Sequence, residues 1–429
     1  MIIKDAVCPF CGCLCDDLDV EINGQKIIRV QNGCTLAEST FTGSTRLQAP
    51  IRRTASGWEM ISYDDAITDA ADILLSADRP LLYGWSSTHG ETQSFGVHIA
   101  ELIGGVIDNT STVCHGPSIL AIQEVGHPGC TLGQVKNRAD VIIYWGCNPT
   151  EAHPRHMSRY TTFATGFFVP EAQRGRTVIV VDTRRTDSAE IADEFIRIKR
   201  GGDYQVLSAL RAIVRGKGNV IPNEVAGVSR EQLIRIAEIC KNAKFGAIFF
   251  GLGLTMSAGK YKNVRNAIEL TDELNRHTKF TISPLRGHAN VYGSNEVFTW
   301  ITGYPFAVDF ARGIAFYNPG ETTAVDILRR GECDAALIVA SDPGAHLPHS
   351  AAAHLAKIPT ILIDPHQTAT TPLCRLQIPC TIAGIDAEGT AYRMDGVPIR
   401  YKKIVESSYP DDADLLRRIH DRILEVKGV

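Results

Sequence analysis

The chain alternates short, wholly apolar runs with longer stretches of helical period. Leu81-Leu82-Tyr83-Gly84-Trp85, Val141–Trp145, Val178–Val181, Ala247–Phe250, Ala336–Val339 and Thr360–Ile363 contain no polar alternation. Runs of this length read as strands buried on both faces, the pattern of parallel sheets. Small or polar residues follow each one at once: Ser86-Ser87-Thr88, Gly146-Cys147-Asn148-Pro149, Asp182-Thr183-Arg184, Gly251-Leu252-Gly253, Ser341-Asp342-Pro343 and Asp364-Pro365-His366. Between the runs, apolar positions recur every three or four residues, as in Asp203–Val214 and Val264–Leu274, which predicts helices. The pattern predicts an α/β protein with two open, mostly parallel sheet domains. Ligands bind outside the carboxyl ends of such strands, so these loops form the expected ligand surface. One such loop is equally explained by turn preference alone. Six of them point to a large, extended cofactor.

The first 50 residues are different. Asn23-Gly24 sits between two alternating segments across Leu18–Val30, a hairpin signal. That hairpin would return Cys34 toward Cys8–Cys15. The expected domains are 1–50, a discontinuous α/β domain from 51–110 and 290–429, and a second α/β domain over 111–289. Asp411–Val426 reads as one amphipathic helix.

Composition narrows the function. The 429 residues are 44% hydrophobic and 21% charged, with a formal charge of −4. This is an ordinary globular balance. No basic run with interleaved aromatics suggests nucleic acid. No apolar stretch is long enough to span a membrane, and the N-terminus lacks a secretory apolar region, so the expected location is cytoplasmic. Five of the twelve cysteines, Cys8, Cys11, Cys13, Cys15 and Cys34, lie in the first 34 residues. So tight a cluster in a large chain points to metal rather than a disulfide framework. Three ligands in one loop and a fourth from a distance favour a 4Fe-4S cluster; tetrahedral zinc, which pairs two short Cys-x-x-Cys units, is the alternative. Cys13 and Cys15 compete for the third position. Cys15 is preferred, giving Cys8, Cys11, Cys15 and Cys34 as the ligands.

Cys8-x2-Cys11-x3-Cys15 with a later Cys34 resembles the N-terminal cluster motif of the molybdopterin oxidoreductases, the family that includes formate dehydrogenase. Further motifs follow in the family's order. Val113-Cys114-His115-Gly116 is similar to the segment whose cysteine or selenocysteine ligates the metal. Trp145–Pro149 with His153-Pro154 resembles a pterin-dinucleotide loop. Asp182–Ala189 resembles the D-x-R-x-T-x-T-A segment, and Gly201-Gly202-Asp203 the turn after it. Pro284–Gly293 resembles the active-site arginine motif of formate dehydrogenases. Within the family, Val7–Asp17 looks like the B subunits of formylmethanofuran dehydrogenases. One departure is Leu36, where many formate dehydrogenases carry a lysine between cluster and pterin.

The resemblance implies molybdenum or tungsten held by a bis(pyranopterin guanine dinucleotide), with Cys114 as metal ligand. It implies reversible two-electron reduction of carbon dioxide to formate. His115 would carry a proton or act electrostatically on substrate. Arg286, a fixed cation with a planar donor fork, suits a carboxylate. Together with the strand-end loops, the cofactor-facing candidates are Gly146, Cys147, Asn148, Glu151, His153, Asp182, Thr183, Arg184, Gly202, Asp203, Gly251, Gly253, Ser341 and Asp342. The β-barrel domain that covers the pterins in full-length formate dehydrogenases is expected to be absent. The implied partners are a pterin-capping subunit, a hydrolase-like formyl-transfer subunit and ferredoxin-like electron carriers. The alternatives are a stand-alone formate dehydrogenase, an oxyanion reductase, or an iron–sulfur scaffold without pterin.

Overall fold

All six apolar runs form buried strands in the computed structural model, which describes residues 1–43 and 45–428. The chain divides into two compact units. The first comprises Met1–Val113, His288–Arg393 and Pro398–Val429; the second comprises Cys114–Gly287 and Met394–Val397.

The second unit is built on a five-stranded parallel sheet. Its order is Glu194–Arg197, Thr177–Asp182, Val141–Trp145, Gly246–Phe250, Phe280–Pro284. Every residue of Val141–Trp145 and Gly246–Phe250 is buried, which explains why these runs lack polar alternation. Helices Asp203–Val214, Arg230–Asn242 and Tyr261–Leu274 supply Val206, Leu210, Leu233, Ile236, Val264 and Ile268 to the core. The chain runs outward from Val141–Trp145 in one direction and returns to Gly246–Phe250 on its other side. The sheet's topological switch point therefore lies between those two strands, where open α/β sheets bind ligands.

The first unit carries a nine-stranded mixed sheet. Its parallel centre is Val106–Asn109, Pro80–Gly84, Ala335–Val339, Thr360–Ile363 and Leu376–Ile378. Antiparallel pairs extend both edges, and the sheet stays open. The N-terminal hairpin forms as expected: Leu18–Asn23 pairs with Lys26–Gln31 across Gly24, whose φ of +60° suits glycine. The C-terminal helix spans Asp412–Lys427, with the Asp411 carboxylate accepting from the Ala413 N–H. Among the described residues no helix is long and apolar enough to cross a membrane.

Candidate functional site

In the second unit, Cys114, His115 and Arg286 come together. His115 stands just before the helix Gly116–Val125, and the Thr255 hydroxyl, at the end of the short helix Leu252–Thr255, donates to the Cys114 carbonyl at 3.1 Å. Arg286 follows the strand Phe280–Pro284 and is 4% exposed. Burial pushes the Cys114 thiol up to about 11, against the pull of the Arg286 guanidinium and of the Gly287 N–H that donates to its sulfur. Without a metal Cys114 is thus a protonated thiol at neutral pH. Coordination to a soft metal would deprotonate it.

His115 is 1% exposed. Its Nε2 lies 3.2 Å from the Leu285 carbonyl and its Nδ1 lies 2.9 Å from Ser118 Oγ. A carbonyl only accepts, so Nε2 carries the proton and Nδ1 accepts from Ser118. Burial and the Arg286 charge hold its pKa down to about 3. Both ring nitrogens of this neutral imidazole are engaged by the protein.

The strand-end loops of the second unit lie where the sequence put them, and several of their residues are used internally. Gly146 has φ +57°, and the Gly253 N–H donates to its carbonyl at 2.9 Å. A Cβ on Gly253 would lie 2.6 Å from Gly146 Cα, and one on Gly251 would lie 2.7 Å from Cys147 Cβ. These glycines let two loops pack on each other at the switch point. Gly202 is packed in the same way, against Ala226. Asp203 accepts from the Trp145 indole N–H at 2.9 Å, and Asp182 Oδ1 accepts from the Thr183 N–H at 2.7 Å. The Cys147 thiol donates to the Phe249 carbonyl, and burial raises its pKa. Thr183, Arg184 and Glu151 are exposed.

Other atoms point to a missing ligand. Asn148 Oδ1 accepts from Ser188 Oγ at 2.6 Å and Thr150 Oγ1 at 2.8 Å, which leaves Asn148 Nδ2 buried with no protein partner. His153 Nδ1 and Thr186 Oγ1 are orphaned in the same way. Buried polar groups are rarely left unpaired, so donors and acceptors of this kind in the loops after two parallel strands fit a polar cofactor.

In the first unit, Ser341 and Asp342 follow the strand Ala335–Val339 through Ala340, whose φ is +48°. The Asp342 carboxylate is occupied by the Thr370 N–H at 2.8 Å and its hydroxyl at 2.5 Å. It organises the 368–371 loop.

The cysteine loop, also in the first unit, is closed by backbone bonds from the Cys8 N–H to the Cys15 carbonyl and from the Leu14 N–H to the Cys11 carbonyl. Cys34 caps the helix Thr35–Thr42. Burial pushes the Cys8 thiol well up, against the Phe10 N–H, and the sulfurs of Cys11, Cys15 and Cys34 add to the rise. The Cys13 thiol interacts chiefly with Cys11: a hydrogen bond between them lowers Cys11 and raises Cys13. Among the described residues no three of these sulfurs lie mutually within 4.8 Å.

Sequence reading missed several residues here. Tyr401, fully buried, packs with Val7 and Leu14, and its hydroxyl is raised by burial and by the charges of Cys8 and Cys11. His288 makes an antiparallel bridge to Cys11. In the second unit, His156 is buried beside His153, and the more exposed His127 reaches the strand before Arg286 through the Ile282 carbonyl. His127, His156 and Tyr401 carry no motif, so nothing in the sequence marks them; His288 lies within the Pro284–Gly293 motif, but no sequence signal gives its bridge to Cys11.

No family model matches the chain. The chain is 49% identical over 432 residues to the B subunit of tungsten-containing formylmethanofuran dehydrogenase 2 from Methanocaldococcus jannaschii, covering 99% of each. Its counterpart from Methanococcus maripaludis is 44% identical over 433 residues, covering 99% of this chain and all of the relative. Formate dehydrogenase H of Escherichia coli is 25% identical over 359 residues, covering 70% of this chain and 48% of the relative. Two solved structures share the fold. A chain of the formyltransferase/hydrolase complex FhcABCD from Methylorubrum extorquens has a TM-score of 0.74 and 22% identity, covering 89% of this chain and all of that one. Acetylene hydratase from Pelobacter acetylenicus has a TM-score of 0.72 and 16% identity, covering 98% and 69%. The resemblance read from ordered motifs is borne out: the chain belongs to the oxidoreductase family of formylmethanofuran dehydrogenase B subunits, with formate dehydrogenases as more distant relatives.

Proposed function

We propose that this chain is the redox subunit that interconverts carbon dioxide and formate at tungsten or molybdenum held by two pyranopterin guanine dinucleotides. The observation that carries the reading is the meeting of Cys114, His115 and Arg286 in one unit, with the Gly287 N–H on the Cys114 sulfur. The balance is carbon dioxide plus two electrons and one proton giving formate. When bound, the metal–pterin supplies the two-electron chemistry at carbon.

The chain's own groups do the rest. Cys114 offers a soft thiolate ligand. The buried Arg286 guanidinium attracts the carboxylate and stabilises negative charge developing on the carbon dioxide oxygens. His115, tied at both nitrogens, holds the Leu285 carbonyl and so the start of the arginine loop. The orphaned Asn148 Nδ2 and Thr186 Oγ1 would pair with the dinucleotide, together with the strand-end loops proposed for it. Cys8, Cys11, Cys15 and Cys34 would hold a 4Fe-4S cluster that passes electrons; three thiolates from one loop and a fourth from a distance suit such a cluster. Joining formate to methanofuran falls to another subunit of the complex.

Elemental analysis of the purified complex tests this. At least about four iron atoms, with more from any ferredoxin-like partner, and about one tungsten or molybdenum are expected for each copy of the chain. Iron without tungsten, molybdenum or pterin would leave only an iron–sulfur scaffold and sink the reading. A Cys114→Ser variant is expected to lose formate turnover; full turnover in it would exclude Cys114 as ligand.

A further inference from the structure

We propose that His153 is a positioning residue that, through the peptide joining Arg286 and Gly287, sets both the Arg286 guanidinium and the hydrogen bond to the Cys114 sulfur. The inference rests on the proposed function only for its catalytic consequence.

The strand Phe280–Pro284 ends one residue before Leu285, so the carbonyls beyond it have no sheet partner. Three histidines supply donors along this segment. His127 Nε2 lies 2.7 Å from the Ile282 carbonyl, His115 Nε2 lies 3.2 Å from that of Leu285, and His153 Nε2 lies 2.8 Å from that of Arg286. Each acceptor is a carbonyl, so each imidazole is held in its Nε2–H form. Burial disfavours the charged form of His115 and His153, and partial desolvation does so for the more exposed His127; the Arg286 charge acts in the same direction on His115 and His127.

His153 differs from the other two in what its acceptor does. The carbonyl it holds belongs to the peptide group whose N–H, on Gly287, donates to the Cys114 sulfur. The two ends of one planar unit are therefore bound, one by an imidazole and the other by the candidate metal ligand. Rotating that plane would withdraw the N–H from sulfur and redirect the Arg286 side chain together. Glycine at 287 makes such rotation cheap, since a Cβ there would meet nothing within 4 Å and no side chain restrains the turn. A second residue that orients a ligand in this way typically matters tenfold or more to a metal site. His153 is 2% exposed and reaches the peptide across 133 residues of sequence.

The test uses the assembled complex with wild type, His153→Leu and His153→Gln. Leucine fills space without a donor, whereas the glutamine amide can present an N–H near the Nε2 position. In the leucine variant we expect the amides of Leu285–Gly287 to exchange hydrogen roughly tenfold faster, and KM for formate to rise about tenfold with a smaller change in kcat, the size of one lost hydrogen bond. The glutamine variant is expected to restore both to within about threefold of wild type. Unchanged exchange in the leucine variant overturns the proposal, whatever its metal content. So does a glutamine variant that behaves like leucine. If wild type itself turns over no formate, the proposed function fails, and the exchange comparison still decides the role of His153.

Discussion

Cys13 and Cys15 show how one residue's neighbours separate two readings that spacing leaves open. Cys13 and Cys15 both lie near Cys8, but Cys13, 1% exposed, is hydrogen-bonded to Cys11. Cys13 is thus suited to tune a ligand sulfur by donating to it. We expect Cys13→Ser to keep nearly all its iron, because a hydroxyl still donates, and Cys15→Ser to lose most of it. Iron assays on both variants check this; equal loss in the two would return Cys13 to the ligand set. At this scale the sequence was legible only where motifs stand. Cys114, His115 and Arg286 are candidates marked by the order of motifs along the chain. His153 was read as a cofactor contact, while its Nε2 is engaged by the Arg286 carbonyl. The glycines at 251 and 253 were read as ligand-facing, and the structure explains them by loop packing.

At the level of elements, the C-terminal helix is held by a charge cluster, centred on the buried His89 and Asp412, with no sequence signature. His89, which caps the helix Gly90–Ile103, lies 3.1 Å from Asp411, 3.3 Å from Asp412 and 3.1 Å from Glu91. Asp412 also accepts from the Thr88 and Thr92 hydroxyls. Burial alone would lower His89, but the three carboxylates outweigh it and raise it to about 12. Burial would likewise raise Glu91, but His89 and the Thr390 N–H bring it down to about 2. Because folding raises His89, its contribution is complete below the free imidazole value of about 6.5 and fades as pH climbs toward the folded value. Glu91 contributes above the free carboxyl value of about 4.3 and loses that contribution as pH falls toward 2. We expect His89→Leu to cost about 3 kcal/mol near pH 5.5, since it strands the buried Asp412 carboxylate, and distinctly less near pH 9. Urea unfolding at both pH values measures it; a cost that is the same at both would show that the lost interaction is packing rather than charge. The helix itself was legible from its apolar period; that Asp411 caps it came from the structure. Its anchor was not, because His89 and Asp411 are 322 positions apart.

For the whole molecule, two units with separate cores carry the loops in which the cofactor groups are proposed to bind. The orphaned polar atoms of the second unit are an unmet cost in the chain without its ligand. Loading should therefore stabilise the fold, by about 2.7 kcal/mol or more when the ligand is held a hundredfold above its Kd. Complex made without tungstate or molybdate is expected to melt at a lower temperature than loaded complex. Identical Tm values in scanning calorimetry would argue against binding in these loops. The α/β class, the open parallel sheets, the strands and the family were determined by the sequence alone. Those features depend on local signals: unbroken apolar runs, turn residues directly after them, and motifs in a fixed order. Only the tertiary structure decided which of these side chains are already engaged by the rest of the protein. It tied Asp203 to Trp145, gave the Asp342 carboxylate to Thr370, and brought His115, His127 and His153 onto one short segment beside Arg286. The physical reason is that a hydrogen bond depends on where two distant segments cross, and no periodicity in either segment records its partner.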